Sequence, residues 1–490
     1  MEKDNYKWIA LSCTTIGALL SVMSGSTLII ALPEIMKELN ADMGTVTWIL
    51  MGYMLVLTIL VPSVGRIADM FGRKKLYVSG FAIFTVASLF CAWSQTGMQL
   101  LVFRLIQAIG GSFMIANSTA IVADAFPKNE LGKALGINSM FICIGSVIGP
   151  ILGGFLVSVG WRNIFYLNLP IGIIGTLWAA LQLKETVKHR QEEKIDWPGS
   201  ITFSVSLLSL LIALTIGSFG GWTNRIVIIL FIVAAVTMAG FVNIENRTEQ
   251  PMLDMRLLKT RVLAFAYASN FFNGLARGAV TFLIIFYLQG IKSMDPIRAG
   301  MFLAPFAVSM LIVSPISGYL SDKYGSRGLS SAGLLISAAG LLGLMNIQAN
   351  TPIIELMVWM FIMGIGSGLF FTPNTNAIMS AVPMNKRGIA AGMRTMLTNA
   401  GNVLSIAFSM AIIGSSISPQ AMQGLFTGTQ VGSQGIAVSA FIGGLRMAFT
   451  ISFVFSLFAA VISYMRGPEP VWENDLLKDA VKDCTIELAK

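Results

Sequence analysis

Few side chains in this chain could do chemistry, and several of the most telling are arginines inside apolar runs. Arg104, Arg277, Arg394 and Arg446 fall within long hydrophobic segments, whereas no aspartate or glutamate sits at the middle of one. A charge in such a setting is costly unless it faces a cavity or a partner, so these groups point to charge recognition or proton handling. Arg104 lies about a turn and a half into its segment, with Gln107 one turn further on the same face; it reads as a cation facing a cavity or a partner, or as one snorkelling to the outer headgroups. Arg277 stands at the centre of its segment within SNFFNGLARGAV, beside Asn270, Asn273 and Gly274. It reads either as a cavity charge for an anionic or zwitterionic group, or as a cation satisfying the carbonyls of a broken helix. Arg394, Asn117, Asn374 and Asn376 are further candidates for lining a substrate cavity. Carboxylates are the usual proton carriers because burial can move their titration towards neutrality. Glu355, near the start of its segment, is the one intramembrane carboxylate on offer, with Asp124 and Glu34 at segment ends. Glu355 reads equally well as a solvated interfacial acid.

The elements that must position these residues are membrane spans. The chain has 490 residues, of which 55% are hydrophobic and 12% charged, against roughly 25% charged in a soluble domain. Runs of about 20 apolar residues predict fourteen helices, near 8–32, 44–64, 76–94, 99–122, 134–158, 164–183, 198–217, 226–243, 262–289, 298–317, 329–346, 353–380, 389–414 and 438–465. The first run is too long for the core of a cleaved signal peptide and reads as an anchor that stays. With both termini placed in the cytoplasm, the inside loops and tails hold 24 of the 33 Lys and Arg residues. That bias follows the positive-inside rule and accounts for the net charge of +9 without nucleic acid. Cys13, Cys91 and Cys143 lie inside apolar runs and Cys484 in the tail, with no metal or redox spacing. There is no soluble domain, metal cluster, cofactor motif or nucleophile motif, so an enzyme is not expected.

The chain also repeats itself. GRIADMFGRKK at 65–75 and GYLSDKYGSRG at 318–328 share the frame G-x-x-x-D-x-x-G at a spacing of 253 residues. AFPKNELGKALG at 125–136 matches AVPMNKRGIAAG at 381–392 at six of twelve positions, offset by 256. Spans one to six therefore correspond to spans nine to fourteen, with two spans inserted. The expected organisation is a six-helix bundle over 1–183, a linker with two inserted helices over 184–261, a second six-helix bundle over 262–465 and a cytoplasmic tail over 466–490. A duplicated membrane bundle is the usual build of a secondary transporter, in which two halves rock around a central site.

Together with LLVFRLIQAIGG at 100–111, GSVIGPILGG at 145–154, GWRNIFYLNLPIG at 160–172 and PMLDMRLLKTRV at 251–262, the paired loops resemble the major facilitator superfamily, specifically its fourteen-span drug:proton antiporter branch. The resemblance covers nearly the whole chain. It implies an all-α polytopic fold of two pseudo-two-fold bundles plus two inserted helices, in a plasma membrane. It also implies alternating access, proton-driven export of lipophilic or amphipathic small molecules, and a role for Arg104 in proton coupling. No cofactor, metal or nucleic acid is expected, and the chain is expected to act as a monomer.

Each motif has a physical reading as well. Gly65 and Gly72 permit close helix approach and a tight turn, and Asp69 can accept hydrogen bonds from a neighbouring helix N-terminus. With Arg73, and with Gly318, Asp322, Gly325 and Arg327 in the second half, this reads as a cytoplasmic gate latch or as a basic loop that only sets topology. Gly145, Gly149 and Gly153 recur every four residues and, with Pro150 and Gly154, form either the motif associated with exporters or a helix-packing seam. The second half lacks it, reading GNVLSIAFSM at 401–410. The chain departs from the family where it matters for protons: SGSTLIIALP at 24–33 puts Ser24 at the usual span-one aspartate. Export of anionic or lipid-like molecules with atypical proton coupling is therefore the alternative, favoured by Arg104, Arg277 and Arg394.

Overall fold

A computed structural model describes residues 2–126, 130–185, 196–248, 251, 253, 255–382, 387–417, 421 and 434–467. Its elements are helices: α1 (Glu2–Glu38), α2 (Met43–Phe71), α3 (Arg73–Trp93), α4 (Gly97–Ala125), α5 (Leu131–Val159), α6 (Asn163–Tyr166), α7 (Asn168–Gln182), α8 (Trp197–Gly220), α9 (Arg225–Arg247), α10 (Arg261–Arg277), α11 (Val280–Phe286), α12 (Pro296–Tyr324), α13 (Ser326–Leu344), α14 (Ile353–Ser380), α15 (Arg387–Ser416) and α16 (Gln434–Met465). Among the described residues thirteen helices are long and apolar enough to span a membrane, and α5 adds a shorter apolar stretch, Ile148–Val159. The chain is a multi-pass membrane protein.

Short polar caps start these helices. Asp42 accepts from Thr45 N, Thr96 from Gln99 N and Asp295 from Arg298 N, satisfying amides that have no partner within the helix. The second glycine of each repeated loop ends a helix with positive φ, +105° at Gly72 and +80° at Gly325. L-side chains rarely adopt that region, so the turn into α3 and its counterpart into α13 need glycine.

The packing carries out the duplication. α1 packs on α5, α2 on α4, α3 on α4 and α7; in the same pattern α10 packs on α15, α12 on α14, α13 on α14 and α16. The inserted α8 and α9 pair with each other, and α8 leans on α2 and α15. α9 turns Ile226, Ile229, Ile232 and Val236 outwards, as a lipid-facing helix does. The start of α1 and the end of α16 lie at one face of the bundle, here the terminal face, where Tyr6 Oη donates to Lys184 O and Arg327 Nε donates to Tyr464 O. The other end is the opposite face.

The ninth span is interrupted after Arg277, as one of its two readings allowed. α10 stops at Arg277, Gly278 and Ala279 interrupt the hydrogen-bond ladder while keeping right-handed helical dihedrals, and α11 runs into a π-helical turn over Tyr287–Ile291. The cause is close packing: a Cβ on Gly278 would stand 2.5 Å from Asn402 Cα of α15. The interruption frees Ala279 N, which finds Ser405 Oγ at 3.0 Å on α15 instead.

Candidate functional site

In the first half the polar interior centres on Arg104, which is 0% exposed. Its Nη1 donates to Ser24 Oγ of α1 at 3.0 Å and to Gln107 Oε1 at 2.5 Å. Gln107 Nε2 donates in turn to Ser88 Oγ of α3 at 2.6 Å. The guanidinium carbon lies 4.1 Å from the Tyr53 ring centroid and 5.9 Å from that of Phe165, so two π faces share the charge. Nε and Nη2 have no acceptor. The cation is thus held by hydroxyl, amide and aromatic groups, and its position points into the bundle rather than towards the headgroups.

Two of the second half's arginines, Arg277 and Arg394, are partly exposed. Arg277, at the break after α10, stacks 4.7 Å from the Phe371 centroid and 5.8 Å from that of Phe306. Arg394 on α15 stands beside Tyr267, and its own carbonyl accepts from Asn270 Nδ2 at 3.1 Å. Asn273 is buried with its Nδ2 unpartnered. Asn374 does structural work: its Nδ2 donates to Ala266 O at 3.3 Å and its Oδ1 accepts from Arg466 Nη1 at 3.2 Å, tying α10, α14 and the end of α16 together. Asn117 is buried and donates to Phe113 O of its own helix at 2.8 Å.

The candidate acids lie away from these arginines. Glu355 is exposed at the start of α14, with Trp359 Nε1 at 3.5 Å. Asp124, at the end of α4, accepts from Arg73 Nη1 at 2.7 Å. Beside that ion pair, Glu185 accepts from Arg73 N at 3.0 Å and Lys74 N at 3.2 Å, capping the positive end of α3 with a carboxylate. In the sequence Glu185 sits at the edge of a charged stretch, and nothing in its spacing joins it to Gly72. The side chains of Asp69 and Asp322 lie outside the described residues. Gly65 and Gly318 are both mid-helix near the terminal face. The second half handles its loop differently: Arg327 donates to Tyr464 O at 2.7 Å and stacks on that ring at 4.4 Å.

The glycine motif has two faces. Gly145, Gly149 and Gly153 lie against Leu19, Met23, Ser26 and Thr27 of α1. Gly154 meets the second half: a Cβ there would collide with Pro296 O and lie 2.9 Å from Ile297 Cα at the start of α12. Reciprocally, a Cβ on Gly300 would collide with the Pro150 carbonyl. Gln289 Nε2 adds a bond to Ile30 O at 3.0 Å. The halves therefore meet backbone to backbone at the opposite face.

Duplicated helical bundles meeting along such a seam, with charged groups buried inside, define a membrane carrier. The Major Facilitator Superfamily pattern matches residues 14–246 and 266–483; the chain belongs to that family and is a transporter, not an enzyme. It is 32% identical over 413 residues to the riboflavin transporter RibZ of Clostridioides difficile, covering 84% of this chain and 89% of that one. It is 31% identical over 420 residues to the multidrug transporter protein MdtP of Bacillus subtilis, covering 84% and 76%. Among solved structures, a bacterial homologue of the human lysosomal transporter Spinster, inward-facing and unoccupied, matches with a TM-score of 0.66 at 17% identity, covering 94% of this chain and 97% of that one. That last likeness concerns the fold.

Proposed function

We propose that this transporter exports small amphipathic molecules across the plasma membrane in exchange for protons, by alternating access. The carrying observation is the seam of Gly154 on Pro296 and Gly300 on Pro150, a close two-sided contact between halves that can open and reclose. The terminal face is the cytoplasmic one, as supported by its share of lysine and arginine. The unit is a monomer of two six-helix bundles, 1–183 and 262–465, with 184–261 inserted and 466–490 as a tail. Asp69 and Asp322 act as cytoplasmic latches, Arg104 takes part in coupling, and Arg277, Arg394 and Asn273 line the cargo path. The names of MdtP and RibZ support small organic cargo.

A second reading, that the cargo carries an anionic group, is favoured by one feature. Arg104 and Arg394 lie within spans, and the titratable groups acting on them among the described residues are Tyr53 and Cys91 for the first and Tyr267 for the second, none of them a carboxylate. The test for both is proteoliposome flux of a panel of cations, anions and lipids, with and without an imposed pH gradient. Uphill movement of amphipathic compounds driven by the gradient supports export by exchange; transport confined to anions selects the second reading.

A further inference from the structure

Two acidic side chains far from the interior arginines share one buried spot near the terminal face. Asp196 caps α8, its Oδ1 accepting from Gly199 N at 2.8 Å. Glu245, near the end of α9, accepts from Leu253 N through Oε2 at 2.9 Å. They are 5% and 2% exposed. Their other oxygens converge on Gly199: a Cβ there would collide with Asp196 Oδ2 and stand 2.8 Å from Glu245 Oε1. The two carboxyl groups are within hydrogen-bonding reach of one another. Two carboxylates cannot bond to each other, since neither carries a donor. With both ionised, Glu245 Oε1 is buried without a partner, a costly arrangement. A single proton between them supplies the missing donor and removes a like-charge contact.

We propose that Asp196 and Glu245 form a proton-binding site, with the proton carried by Glu245 Oε1 and donated to Asp196 Oδ2. The site joins the inserted helices to the first half. Arg66 of α2 donates to Pro251 O in the strand of chain that Glu245 holds, and its charge acts on Glu245. Ser63 of α2 and Ser200 of α8 bond through their hydroxyls at 3.0 Å. Among the described side chains, the charges facing Glu245 are Asp196 from the start of α8 and Arg66 from α2. Arg66 and Asp69 belong to the same repeated loop, so the proton's occupancy bears on the region of the proposed latch. Losing it puts two negative charges in one buried place and loosens the junction of α2, α8 and α9. The proton site does not depend on the export reading, because it is read without any cargo.

Infrared titration of the purified protein in lipid tests it directly. The wild type should show a protonated-carboxyl stretch at neutral pH that fades as pH rises, and Glu245→Gln should lack it. Asp196→Asn removes the neighbouring acid and should move the fading to lower pH. Melting follows the same sign: the native state holds a proton that the unfolded chain releases, so the wild-type Tm falls as pH rises through the site's titration. Glu245→Gln should show no such fall. A wild type without the band at neutral pH, a band that survives in Glu245→Gln, or equal Tm slopes in both proteins would overturn the proposal. If Glu245→Gln cannot be recovered, an unchanged titration in Asp196→Asn overturns it.

Discussion

Arg104 and Ser24 are bonded across α4 and α1 at 3.0 Å, so a neutral hydroxyl serves as an acceptor for a buried cation. Ser24→Asp would turn this contact into an ion pair. It is expected to preserve folding and to shift the pH dependence of transport, because the new carboxylate can take up a proton beside Arg104. Ser24→Ala leaves Arg104 with one acceptor fewer, a cost of about 1–3 kcal/mol, measured as a fall in Tm. A Ser24→Asp variant whose transport follows the same pH profile as wild type would separate Arg104 from coupling.

The seam at the opposite face has no room for a methyl group. Gly154→Ala forces its Cβ against Pro296 O, and overpacking of this kind costs about 1–3 kcal/mol. That cost falls only on the state in which the halves touch there. Spin labels on α5 and α12 should show a longer separation in the variant, together with reduced flux. Distances indistinguishable from wild type would mean that the contact is not part of the transport cycle.

Arg277 sits between Phe371 and Phe306, where a cargo anion could pair with its guanidinium while an apolar body lies on the rings. If anions are carried, Arg277→Ala should weaken their transport by about tenfold or more, the worth of one charge-assisted hydrogen bond. Arg277→Lys should restore only part of it, since lysine cannot stack as a planar group. Initial rates against anion concentration check this, and normal anion transport in Arg277→Ala rejects the second reading.

Glu355 is exposed at the start of α14, and a solvated acid of that kind contributes little energy, about 0–1 kcal/mol in a surface pair. Glu355→Gln is therefore expected to leave efflux within about twofold of wild type. Abolished efflux of lipophilic cations would instead make Glu355 the coupling acid.

The membrane spans and their duplication were legible in the sequence because apolar length and a repeated charged turn are local signals. The packing of α1 on α5 and its echo in α10 on α15 follow from that repeat. A broken helix at Arg277 was one of two readings the sequence left open, but its cause was not legible: Gly278 and Ser405 lie 127 residues apart in sequence, and the approach of α10 to α15 brings them together. The role of Asn374 was hidden likewise, because its partners Ala266 and Arg466 come from other helices. The glycine motif was half legible. Its four-residue period marks a packing face, but nothing in the spacing says that Gly154 faces α12 while Gly153 faces α1. The pairing of Asp196 with Glu245 was hidden for a different reason: each reads as an ordinary polar residue at a helix end, and their shared burial requires the inserted helices to fold back together.

The central claim is exchange of amphipathic cargo for protons, and reconstituted flux with a simultaneous record of internal pH measures it most directly. In proteoliposomes with an imposed pH gradient, cargo should move against its own gradient, and protons should cross in the other direction only when cargo is present. Cargo flux that equals that of protein-free vesicles, or that runs unchanged when the pH gradient is collapsed, would contradict it.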